Sequence, residues 1–236
     1  MKNFSSNISK ILAGIFLFAI IFSVQNVSAE KNDWSDRSFN FKNVKKVLIL
    51  NVEVPENAAR GGEIFIRKLS DKYFEGTKKL KIQVIGEDMA KKILAANKNI
   101  NFDSMSQKAA QDVLRQNISE IADAWIDCKI KVWKDDYYII PERTVWENRR
   151  MTRRIRDRDG NWIDDTYYIT VPVTYPPRRV DVSYLTTEFE LHDAATGKMI
   201  FGRQDVRDRE DYQAQLGMLG RMSNSFFSDL AKLLKK

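Results

Sequence analysis

The sequence predicts an α/β fold: a mixed β-sheet packed with helices, an α/β sandwich, with a long protruding β-hairpin arm. Three observations carry this. The continuous apolar run Val47-Leu48-Ile49-Leu50 reads as a strand buried on both faces. Strict alternation of Ile126, Cys128, Ile130 and Val132 with Asp127, Lys129 and Lys131 reads as a strand with one core face and one wet face. Asp159-Gly160, set in a stretch rich in arginine and aromatic residues, is a two-residue hairpin signal.

Lys2 and Lys10 precede an apolar run at residues 11–24, and the chain leaves it through the small residues Val27-Ser28-Ala29. This order is that of a secretory signal peptide, residues 1–29, cleaved after Ala29. Ser23, Gln25, Asn26 and Ser28 cut the apolar stretch below the roughly 20 residues a membrane span needs, so no integral span is expected after cleavage. An exported protein, periplasmic or extracellular, is expected. No cysteine follows the run to carry a lipid. The formal charge of +7 falls by the two lysines to +5 on cleavage, so an anionic partner stays open. At 236 residues and 43% hydrophobic, the chain is long and apolar enough for one core without a disulfide or metal staple.

Residues 30–43 are polar, with isolated Trp34, Phe39 and Phe41, and read as a leader laid over a single α/β domain at residues 44–236. Strand 44–54 is followed by a glycine-bearing loop at Gly61-Gly62 and a helix at 63–74 with Ile66, Leu69 and Tyr73 at helical spacing, ended by Gly76. A short strand at 80–85 leads to a helix at 87–97. The next helix is expected to start at Ser104, where Ser104 and Gln107 have capping-box spacing. Strands follow at 124–133 and 180–191, then the turn at residues 193–198 into residues 199–201. A closing helix at 212–234 carries Leu219, Phe226, Phe227 and Leu230, with Gly217 and Gly220 expected to let it approach the sheet.

Three segments carry a resemblance: Val47-Leu48-Ile49-Leu50, Ala122-Asp123-Ala124-Trp125-Ile126, and the hairpin Leu191-x-Asp193-x-x-Thr196-Gly197-Lys198. Through them the chain resembles the family of periplasmic envelope-assembly domains. That family includes the amino-terminal domain of the Tol translocation protein, the curli secretion channel subunit and the outer-membrane activators of penicillin-binding proteins. The resemblance covers about residues 44–134 and 180–235. It implies envelope assembly and protein contact, generally without catalysis.

Chemistry-bearing residues are few. Cys128 is on the apolar phase of its strand and reads as a buried, unreactive thiol. His192, the single histidine, reads as a solvent-facing imidazole at the mouth of a turn. Asp135-Asp136 and Asp164-Asp165 are adjacent strand residues and point to opposite faces, so neither pair converges. No phosphate-binding glycine motif is present. No enzyme activity, cofactor or metal is expected, and the export signal argues against nucleic acid.

The informative stretch is the inserted arm at about residues 137–177. Between Arg143 and Arg156 lie six arginines against the single acid Glu147. Folding about Asp159-Gly160 sets Arg154 opposite Asp165, Met151 opposite Tyr168 and Trp146 opposite Val173, and neither face is committed to the core. The candidate binding residues are Arg149, Arg150, Arg153, Arg154, Arg156, Trp146, Trp162, Tyr167 and Tyr168, since arginine and aromatic side chains dominate binding hot spots. A solvated hairpin whose arginines only prevent edge aggregation stands against that. The functional expectation is an exported noncatalytic envelope protein that binds protein partners or copies of itself through the arm. A binder of anionic surface polymer or glycan is the alternative, and a secreted enzyme stands behind both.

Overall fold

The structure is a computed structural model and describes residues 29–235. Its centre is a six-stranded mixed sheet of β1 (Ala29–Ser35), β2 (Lys46–Ile49), β3 (Gln83–Gly86), β4 (Ala124–Ile140), β7 (Arg178–Asp193) and β8 (Met199–Arg209), in the order β1-β8-β7-β4-β2-β3. β2 runs parallel to both β3 and β4, and the other pairings are antiparallel. Its helices are α1 (Glu56–Ala59), α2 (Gly62–Glu75), α3 (Glu87–Lys98), α4 (Gln107–Gln116) and α5 (Gln215–Leu233). β5 (Arg143–Arg156) and β6 (Trp162–Tyr175) form a second, two-stranded sheet. No described helix is long and apolar enough to cross a membrane.

The apolar run in β2 is buried on both faces because helices cover both. Val47 and Ile49 join β4, β7, α2 and α5 in one cluster with Leu69, Tyr73, Phe189, Phe226 and Phe227. Leu48 and Leu50 join Ile85, Leu94, Leu114 and Trp125 in the other, under α3 and α4. Asp123 anchors the entry to β4 by accepting the backbone N–H groups of Lys45 and Lys46, both at 2.8 Å.

Several expectations are corrected. Part of the stretch expected as a leader is the edge strand β1, paired with β8 from Ala29 opposite Arg207 to Ser35 opposite Phe201. The α4 cap is Ser106, whose hydroxyl accepts from Ala109 N–H, because residues 103–105 form a turn before the helix. β4 and β7 are longer than their apolar patterns, and β8 runs on to Arg209. A bulge in β4 between Ile130 and Val132 shifts the phase. Val132 therefore turns outward, while Trp133 packs against the core, edge-on to Phe65 at 5.3 Å. The glycine that permits close approach is Gly76 rather than Gly217 or Gly220. A Cβ on Gly76 would sit 2.6 Å from the Phe227 ring and 3.1 Å from the Ser223 backbone, where α5 crosses the end of α2. Gly217 and Gly220 meet only Arg221 and Lys72 side chains at 3.9 and 3.6 Å.

The export signal expected at residues 1–29 lies, but for Ala29, outside the described residues.

Candidate contact site on the arm

β7 pairs with β8 only from Ser183 onward, so beyond that point β4 and β7 continue as a two-stranded ribbon. Pro141 on one side and Pro176-Pro177 on the other lack N–H donors and interrupt the ladder. The register nevertheless carries across the gap: Ile140 faces Arg178, and three residues on Arg143 faces Tyr175. The ribbon from Asp136 to the tip thus has a contour length of roughly 70 Å at about 3.3 Å per residue. No residue of β5 or β6 is buried.

The tip sets the register. Asp157 N–H donates to the Asn161 carbonyl, Gly160 N–H to the Asp157 carbonyl, and the Asp157 carboxylate accepts from Asp159 and Asn161 N–H at 2.9 and 2.8 Å. With Gly160 at φ +86°, this is a three-residue loop closed by a left-handed glycine instead of a two-residue turn at Asp159-Gly160. Every pairing moves by one residue. Arg153 faces Asp165, Arg154 faces Asp164, Met151 faces Tyr167 and Trp146 faces Pro172.

A one-residue shift decides which side chains share a face, and it divides the nine candidate residues in two. Trp146, Arg150, Arg154, Arg156, Trp162 and Tyr168 lie on one face, among threonines. There Trp146 and Tyr168 are 70% and 69% exposed, and the Arg156 guanidinium lies over the Trp162 ring at 5.0 Å. Arg154 reaches Asp164 only at 3.7 Å, and Arg150, beside Tyr168, has no ion-pair partner among the described residues. Arg149, Arg153 and Tyr167 lie on the opposite face. Arg153 donates to Asp165 at 2.9 Å and covers Tyr167 at 5.2 Å, and Arg149 approaches Glu147 at 3.8 Å. Arg143 and Tyr175 close that second face at its base, and the rest of it is apolar: Val145, Met151, Ile155, Ile163, Ile169, Val171 and Val173 alternate with the threonine-rich face. The expected register hid it by pairing residues of opposite faces. A hairpin tip carrying an aspartate ahead of Asp-Gly was the signal for the longer loop.

The remaining candidates lie on the main sheet. Cys128 is buried, and burial, then the Asp127 charge, pushes its thiol well above the ordinary range. The folded protein is expected to resist a thiol reagent such as a disulfide-exchange chromophore, and to react fully once denatured. Stoichiometric labelling of the native protein would overturn that reading.

His192 is not solvent-facing. It stacks on Trp125 at 4.7 Å, with Nε2 at 3.1 Å from Glu190 and 3.8 Å from Asp127. These three groups offer ligand atoms within 4.8 Å of one another. Asp127 is already held by Arg115 at 2.7 Å and by the Trp125 indole N–H at 2.8 Å, and His192 Nδ1 is buried with no hydrogen-bond partner. The arrangement that leaves no buried N–H unmet puts the proton on Nε2, donated to Glu190. A cation at Nε2 would force it onto Nδ1, with no acceptor among the described residues. The adjoining cavity of about 230 Å³ is lined by charges in pairs, Lys129 with Glu53 at 2.9 Å and Lys131 with Glu188 at 2.8 Å. Asp135 and Asp136 diverge: Asp135 accepts from Ser183 and Gln215, while Asp136 pairs with Lys134.

No protein-family model and no curated protein matches the chain. Among solved structures it is similar to the PelC dodecamer from Paraburkholderia phytofirmans, with 11% identity over 88% of this chain and 97% of that one and a TM-score of 0.41. It is also similar to the lipoprotein GNA1162 from Neisseria meningitidis, with 11% identity over 79% and 98% of the two chains and a TM-score of 0.39. Neither carries the name of a Tol protein, a curli channel subunit or an activator of penicillin-binding proteins.

Proposed function

We propose that the chain is an exported, noncatalytic protein of the cell envelope that binds protein partners, or copies of itself, through the arm. The observation that carries this reading is the arm itself: a ribbon that buries nothing in the core yet presents arginine and tryptophan, the residue types most concentrated in binding hot spots. Export rests on the charged and apolar order of residues 1–29. A second reading, a binder of anionic polymer, is favoured by one arrangement: the Arg156 guanidinium lies over the Trp162 ring at 5.0 Å, a cation joined to a ring platform, on the face where Arg150 and the exposed Tyr168 are cross-strand partners.

Affinity capture from the native envelope, with and without residues 143–175, tests both. Deletion is expected to abolish capture and to move the thermal midpoint by no more than about 2–4 °C. A midpoint lowered by more than about 8 °C would place the arm in the folding core and overturn the assignment. Salt separates the two readings on a sulfated polysaccharide probe, because a charge-driven complex weakens steeply with ionic strength and an apolar protein contact does not.

A further inference from the structure

We infer that the apolar face of the arm stacks on the same face of a second copy of the chain, about a two-fold axis running along the ribbon. This rests on the reading of the arm as the contact element, and names its partner.

A two-stranded ribbon is at best marginally stable alone in water. Here Val145, Met151, Ile155, Ile163, Ile169 and Val173 share one side, and none of them is buried by another of the described residues. A second sheet layer, about 10 Å away, is what such a face ordinarily meets. The face is complementary to itself. A half-turn about the ribbon axis returns each cross-strand row to its own level with the strands exchanged. Met151 then meets Tyr167 of the second copy, Ile155 meets Ile163 and Val145 meets Val173. Two of the charged rows match: Arg153 meets Asp165 of the second copy, and Arg143 meets Tyr175, as each already does within one ribbon. The other two do not, since Glu147 meets Val171 and Arg149 meets Ile169 of the second copy, and these two charges pair with each other at 3.8 Å within their own ribbon. A half-turn across the ribbon would instead lay the Arg153 and Asp165 row over Val145 and Val173.

Charge separates the two sides in the same sense. The apolar face carries Arg143, Arg149 and Arg153 against Glu147 and Asp165, net +1. The opposite face carries Arg150, Arg154 and Arg156 against Asp164, net +2, and stays in water. Fourteen residues per strand at about 3.3 Å, across a width of about 10 Å, give about 450 Å² on each copy and about 900 Å² in all. That falls just short of the roughly 1,000 Å² of a durable interface, so the dimer is expected to dissociate on dilution.

Sedimentation velocity of the purified protein over a dilution series, with paired charge reversals, tests this. Arg153→Asp and Asp165→Arg each set like charges against one another across the two-fold, and each is expected to weaken dimerisation at least about tenfold. An equimolar mixture restores opposite charges and is expected to recover the dimer. Asp164→Arg and Thr166→Asp, on the other face, are expected to leave it unchanged. Exposed ion pairs contribute about 0–1 kcal/mol, so all four variants are expected to keep the wild-type circular dichroism and melting midpoint. A wild-type protein that is monomeric at every soluble concentration, or charge reversals that do not rescue on mixing, overturns the inference. If the monomeric protein still requires residues 143–175 for capture from the envelope, the contact role stands without it. If neither holds, both fail.

Discussion

Phe226→Ala is expected to lower the free energy of unfolding by about 3–5 kcal/mol, the largest loss of any single side chain considered. The ring is fully buried on α5 and lies against the middle of the sheet. It stacks on Phe189 of β7 at 4.7 Å and on Phe201 of β8 at 5.3 Å, and meets Phe227 edge-on at 5.2 Å. Truncation removes the apolar transfer energy, leaves a cavity bounded by two strands that cannot follow it, and forfeits ring–ring contacts worth about 0.5–1.5 kcal/mol each. Denaturant unfolding measures the change. A loss below about 1.5 kcal/mol would mean that α5 re-seats freely over the sheet, which the close approach of Phe227 and Ser223 to Gly76 opposes. Deletion of residues 143–175 is the internal contrast, since it removes many more atoms and none of that core.

The elements legible in the sequence are those that bury apolar side chains in a simple period. The doubly buried run of β2, the alternation at the start of β4 and the stripe of α5 all belong to this class, and they are enough for the α/β sandwich. β1 was illegible because an edge strand rich in charge has no apolar alternation, and much of its attachment is a backbone ladder and one buried ion pair through Asp33. β8 read as a three-residue strand for a related reason: Arg203 and Asp205 are buried, and a charged residue in sequence looks like the end of a strand. His192 was placed in solvent by its neighbourhood of turn residues, although its cross-strand partner is Trp125. The candidate site was legible in composition but not in geometry. The Asp157 carboxylate lengthens the loop by one residue, and that residue moves Arg153 and Tyr167 to the apolar side while Trp146 and Arg154 stay on the polar one.

Arg203→Ala is expected to cost about 3 kcal/mol and to flatten the acid limb of the stability curve, because one buried guanidinium holds three elements together. The Arg203 side chain is 0% exposed. Its Nε and Nη2 donate to the two oxygens of Asp33 on β1 at 2.6 and 2.7 Å, and Nη2 also donates to Asp229 on α5 at 2.9 Å. Removing one member of a buried pair costs roughly 3–5 kcal/mol. The lower end applies here because Asp33 and Asp229, 40% and 29% exposed, can regain water. Both carboxyls lie below their ordinary value of 3.8. For Asp33, burial works upward but is outweighed by the hydrogen bond and charge of Arg203 and then by Lys31. Asp229 is pulled down further, by Lys232 first, then Lys31 and Arg203, against burial. Because the folded values are depressed, the stabilisation is fully present above about pH 4 and is lost as pH falls through the folded values. In Arg203→Ala, Asp33 loses the cation chiefly responsible for its depression, while Asp229 keeps Lys232 and Lys31. Unfolding free energies measured from pH 6 down to about pH 2 should therefore converge for wild type and variant as Asp33 protonates. Parallel curves with a constant offset over that range would show that Arg203 acts through packing on Phe201 and Phe226, at 5.9 and 5.8 Å, rather than through charge.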